Sequence, residues 1–83
     1  MTKSEEQRLG EIFLNYKWSL KEGQRRGGPA HRKNCAREMV HNGSIHKSAR
    51  LAAQLACEFN SNIANEFCDL LEEAEAAKLG KSS

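Results

Sequence analysis

Apolar residues recur at every third or fourth position through most of this chain, the rhythm of helices that bury one side. The longest such run lies between Ser44 and Leu79, where neither Gly nor Pro interrupts it. Ile45, Ala49, Ala52, Ala56, Phe59, Ile63, Phe67, Leu70, Ala74 and Ala77 fall, at about 100° per residue, within a stripe roughly 80° wide. The spacing predicts one continuous helix over 44–79, about 54 Å long at 1.5 Å per residue. Small Ala residues dominate the first half of the stripe, and Phe59, Ile63, Phe67, Leu70 and Leu71 the second. The steps are not those of a strict heptad and lie nearer an eleven-residue period. A compact bundle therefore fits better than a long left-handed coiled coil.

Two shorter helices precede this run. Ser4-Glu5-Glu6-Gln7 has the form of a capping box, with acids in the first turn where the helix dipole favours them. Leu9, Ile12, Phe13, Tyr16 and Leu20 form one face of the helix that follows, over about 4–22. Gly10 weakens that helix by about 1 kcal/mol without breaking it. Leu14 and Trp18 are i, i+4 partners on the opposite face. The glycine-rich segment 23–28 reads as a loop, and Pro29 suits the first position of a second helix, over 29–42. The apolar side of that helix is Cys35, Ala36, Met39 and Val40. Asn42-Gly43 should stop it, with Gly43 in the left-handed conformation, and Ser44 should cap the long helix. Residues 80–83 read as a frayed tail.

The expected architecture is all-α, one helical domain over 1–83, with two shorter helices and one long C-terminal helix in a hairpin or bundle. Strand-favouring residues are scarce, with Val40 the one valine and Thr2 the one threonine. A first helix of about 20 residues reaches only some 30 Å along a 54 Å rod. The exposed remainder of the stripe, Ala52, Ala56, Phe59, Ile63, Phe67 and Leu70, is thus expected to meet a second copy in a homo-oligomer.

No stretch approaches the roughly 18 to 20 apolar residues needed to span a bilayer, and Met1 to Glu6 does not resemble a signal peptide. A soluble, cytoplasmic protein is expected. Cys35, Cys57 and Cys68 match neither a metal knuckle nor a disulfide framework, and read as reduced, partly buried thiols.

The net charge of +2 hides a division. Residues 21–50 carry eight Lys/Arg against two Glu, and residues 51–83 six acids against Lys78 and Lys81. Arg32, Lys33, Arg37, Lys47 and Arg50, with Arg25 and Arg26, could contact phosphate or an acidic protein surface. Residues 21–50 contain no Phe, Tyr or Trp to stack on bases. A helix-turn-helix around Asn42-Gly43 would point Ser44, His46, Lys47 and Arg50 at a groove, although the helix after it is longer than such a module needs.

Candidate chemistry is sparse. His31 and Cys35 are i, i+4, but the order with His41 and His46 matches no common zinc module. The glycine-rich loop lacks the order of a phosphate loop. No catalytic residue, metal or cofactor is expected. The best interaction candidates are Leu14, Trp18 and Leu51, with Arg25 and Arg26 beside them, since Trp is enriched among binding hot spots.

In size, helix content and absence of catalytic motifs, the chain resembles the small antirepressors and inhibitors encoded by temperate phages. The resemblance implies a non-enzymatic homo-oligomer that binds and inactivates a DNA-binding repressor, and it carries over no site residue. Direct DNA or RNA binding through 21–50 is the rival reading, and a structural subunit of a larger assembly the third.

Overall fold

A computed structural model describes residues 4–22 and 28–80 of the chain. They form helices α1 (Glu5–Glu22), α2 (Gly28–Asn42), α3 (Ile45–Ala49), α4 (Leu51–Glu58) and α5 (Ser61–Lys78), with no strand among the described residues. The all-α class is as the sequence indicates.

α1 begins where the capping box places it. The Ser4 amide donates to Gln7 Oε1 and the Gln7 amide to Ser4 Oγ, each at 3.1 Å. Both donors would otherwise lack partners in the first turn. Leu9, Ile12, Phe13 and Tyr16 are buried as expected, and so are Cys35, Ala36, Met39 and Val40 of α2.

The single helix over 44–79 does not form. Arg50 keeps right-handed helical dihedrals (φ −63°, ψ −24°), so α3 passes into α4 with little change of path. The decisive break is at Phe59 and Asn60. Phe59 leaves the helical region (φ −121°, ψ −94°), and Asn60 is extended (φ −163°, ψ 174°) with its Oδ1 accepting from the Ile63 amide at 2.9 Å. Asn60 is thus the N-cap of α5, and the chain turns back so that α5 packs along α4. The fold measures 36 × 31 × 23 Å, too small for a 54 Å rod. Replacing Asn60 by Ala removes a cap and should cost about 1 kcal/mol in urea unfolding, with helix content retained. An unchanged unfolding midpoint would mean that the cap is not what fixes this turn.

Contacts between helices give their directions. Lys47 of α3 pairs with Glu5, and Lys17 of α1 with Glu58 at 3.3 Å, so α3 and α4 run alongside α1 in the same sense. Arg32 lies 3.8 Å from Glu66, and Lys78 Nζ donates to the Val40 carbonyl at 3.2 Å, so α2 and α5 are likewise parallel. The core lies where α1, α2 and α5 meet. Phe67 sits at its centre, 5.0 Å from the Tyr16 ring and 5.9 Å from the Phe13 ring, both in tilted or edge-on contact. Leu55 of α4 and Ala64, Leu71 and Ala74 of α5 complete it.

The stripe assigned to a second copy is therefore largely redistributed. Phe67 is fully buried within one chain, Ala52, Phe59, Ile63 and Leu70 are half-buried against the same core, and Ala56 is exposed, as are Ala49 and Ala77. The length argument for oligomerisation falls with the rod.

Gly43 follows the end of α2 without the left-handed conformation expected of it. Among the described residues only Gly28 (φ 54°) and Gly80 (φ 75°) are left-handed. At Gly43 a Cβ would stand 2.9 Å from both Glu5 Oε2 and Leu9 Cδ1, so the glycine lets the α2–α3 turn press beneath the start of α1.

Candidate interaction surface

Burying Leu9, Ile12, Phe13 and Tyr16 turns the other side of α1 outward. Leu14 is 62% exposed there and Trp18 44%, large values for side chains of their size. Leu51, at the start of α4, lies across from Leu14, and the two line one surface groove of about 540 Å³ with Gly10, Phe13 and Lys17. The fold thus brings Leu14 and Leu51 together, and Trp18 follows one turn along α1 from Leu14. Arg25 and Arg26 fall outside the described residues.

A second groove adjoins the first, sharing Gly10 and Leu51 with it and adding Leu9, Lys47 and Arg50. Gly10 stands at the junction, and nothing lies within 4 Å of where its Cβ would be. No packing within the chain demands a glycine here, where Ala would favour the helix by about 1 kcal/mol. The sequence signal was the presence of a glycine inside a strongly periodic helix. Lys17 borders the groove, its ammonium 5.1 Å above the Phe13 ring and held by Glu58. Glu58 is shifted below the usual carboxylate range by its hydrogen bonds from Gln54 and Lys17.

The basic residues do not form one continuous surface. Arg32 is largely covered and lies against Glu66. Lys33 and Arg37 border a cleft between α2 and α5. Lys47 and Arg50 border the groove beside α1, and Glu5 holds the Lys47 ammonium, raising its pKa by hydrogen bonding and charge. The helix-turn-helix geometry is also altered, because α3 has five residues and the turn before it is packed on Leu9.

No family model matches this chain, and no curated protein or solved structure does so either.

The thiols lie outside the two grooves beside α1. Cys35 Sγ lies 3.7 Å from His31 Nε2, but burial, with Glu38 nearby, pushes the thiol up to about 11, where thiolate is scarce at neutral pH. Cys68 is half-buried and also shifted upward by burial, while Cys57 is exposed, contrary to its expected partial burial. Among the described residues no group of three or more His, Cys, Asp or Glu could hold a metal ion, and no helix is long and apolar enough to cross a membrane. Burial drives the Tyr16 phenol strongly upward, with Glu66 adding to the effect. Its hydroxyl is buried without a hydrogen-bond partner, as are Ser19 Oγ, Ser48 Oγ and Arg32 Nε. None of these four residues lines either groove beside α1.

Proposed function

We infer that this chain is a non-enzymatic, self-associating protein-binding module that grips its partner through the outer side of α1 and the start of α4. The observation that carries this reading is the exposure of Leu14 and Trp18 on one helix face, beside Leu51. Binding energy concentrates in a few large side chains that become fully desolvated, and Trp heads that group. An amphipathic helix laid along the groove would cover Leu14 and Leu51, and Trp18 lies one turn further along α1. The partner class implied by the chain's small, helical character is a DNA-binding repressor, which this module would inactivate by occupying a surface the repressor needs.

The test is capture from extracts of the source cell on immobilised chain, with and without nuclease, followed by mass spectrometry and titration of the purified partner. Leu14→Asp with Trp18→Ala should weaken that partner's affinity by at least about 30-fold, since two hot-spot losses exceed 2 kcal/mol. Helical circular dichroism should stay unchanged, because neither side chain belongs to the core. Affinity that survives the double substitution would overturn the assignment of the face. Capture abolished by nuclease would overturn the protein-binding reading in favour of nucleic acid.

A further inference from the structure

We propose that two copies of this chain exchange α5, the joint between α4 and α5 straightening so that each α5 completes the core of the other copy. The inference rests on the self-association in the reading above, gives it a form, and leaves the outer side of α1 uncovered.

The joint is short and open to helix. Only Phe59 and Asn60 separate α4 from α5, and no Gly or Pro lies between Ser44 and Leu79 to forbid a helix through them. The helical ladder reaches the joint from both sides: the Phe59 amide donates to the Leu55 carbonyl at 2.8 Å and the Ala64 amide to the Asn60 carbonyl at 3.2 Å. Two residues returning to helical dihedrals would make one helix over 51–78, about 42 Å long at 1.5 Å per residue. The amides of Asn60, Ser61, Asn62 and Ile63 would then bond to the carbonyls of Ala56, Cys57, Glu58 and Phe59, groups that stand at helix ends in the hairpin. Against this gain stand the lost Asn60 cap and the reluctance of Asn and Ser to enter helix interiors. Gain and cost are of the same order.

What α5 loses on leaving its own chain it recovers in another. Phe67 would lie against Phe13 and Tyr16 of the second copy, Glu66 beside its Arg32, and the Lys78 ammonium on its Val40 carbonyl. These are the contacts of the single chain, so the exchange demands no new complementarity. Leu55 likewise stays buried, against the α5 that arrives. Symmetry closes the pair. α5 runs back along α4 in the hairpin, so straightening turns it through roughly half a circle, the rotation of a two-fold axis. One contact is new. Along a straight helix Ala56, Phe59 and Ile63 fall within about 60° of one another, at the point where the two helices cross. In the single chain Ala56 is exposed and Phe59 and Ile63 are half-buried, so this side has apolar surface left to cover. The entropy of a free chain opposes the pairing, and monomer should prevail in dilute solution. Exchange should be slow, because the fully buried Phe67 must leave one core before it enters the other.

Gel filtration with light scattering, on full chain refolded from urea at about 5 and about 500 µM, tests the exchange. Wild type should be monomeric at the lower concentration and give a separate dimer peak at the higher. Ser61→Pro should stay monomeric at both with no loss of melting temperature. Proline suits the first position of α5 after the extended Asn60, whereas inside a continuous helix it would clash with the Cys57 carbonyl. Asn60→Ala should act the other way and tighten dimerisation about 30-fold, since two monomers lose their caps and the dimer has none to lose. Leu14→Asp should leave the dimer unchanged. Wild type and Asn60→Ala both monomeric after refolding at the higher concentration would overturn the proposal. So would a dimer that survives Ser61→Pro, and if that variant loses its helical circular dichroism, Asn60→Ala decides. Should a chain that never exchanges still capture a foreign protein through Leu14 and Trp18, the exchange alone fails and that binding face stands. A dimer that behaves as described but captures no partner leaves the exchange standing and removes the functional reading.

Discussion

Phe67→Ala should remove most of the stability of this domain, at a cost of about 3–5 kcal/mol. Phe67 is fully buried and meets the rings of both Phe13 and Tyr16, so truncation removes its own transfer energy, two aromatic contacts and the filling of the core. Domains of this length typically hold roughly 4–12 kcal/mol in total. The variant should thus unfold at a small fraction of the wild-type urea midpoint, or be unfolded at 37 °C. Phe67→Leu, which keeps most of the volume, should cost about 1.5 kcal/mol or less. Urea titration followed by circular dichroism checks both. A loss below 1 kcal/mol for Phe67→Ala would mean that this ring is not at the centre of the fold.

The first two helices were legible because local and long-range signals agree there. The Ser4–Gln7 capping box forms as written, and four of the apolar residues at helical spacing in each of α1 and α2 are buried. The outward placement of Leu14 and Trp18 followed from the same periodicity. The meeting of Leu14 with Leu51 did not, since it depends on where α4 lies relative to α1.

The break after Phe59 was hidden by residue types that point both ways. Asn60-Ser61-Asn62 contains no Gly or Pro, yet Asn and Ser favour caps over helix interiors, and a run of three is the signal that could have found it. The apolar phase misled for a related reason. Alanine suits exposed helix positions as well as buried ones, so Ala52 and Ala56 could extend the stripe of α5 backwards without belonging to it. In a straight helix Leu55 and Phe67 would lie about 120° apart, at 100° per residue, and could not share one stripe. Both are fully buried only because the chain turns between them. Gly43 shows the same limit: the sequence marks a stop, but the close approach of the Leu9 and Glu5 side chains to it arises only once α1 is in place.

Adjacent residues on α4 separate the two arrangements most sharply. Leu55→Asp should unfold the domain, while Ala56→Asp should cost no more than about 1 kcal/mol. Leu55 is fully buried against the core, so an aspartate there would lose the leucine's packing and bury a carboxylate with no partner. Either effect alone amounts to several kcal/mol. Ala56 is exposed, and its aspartate would lose only some helix propensity and sit unfavourably near the C-terminal end of α4, each a few tenths of a kcal/mol. A continuous helix over 44–79 makes the opposite forecast, because its buried stripe runs through Ala52, Ala56 and Phe59 and leaves Leu55 to one side. Thermal melts of the two single variants decide between them. A melting temperature that collapses for Ala56→Asp and holds for Leu55→Asp would restore the rod, and with it the need for a second copy along α4 and α5.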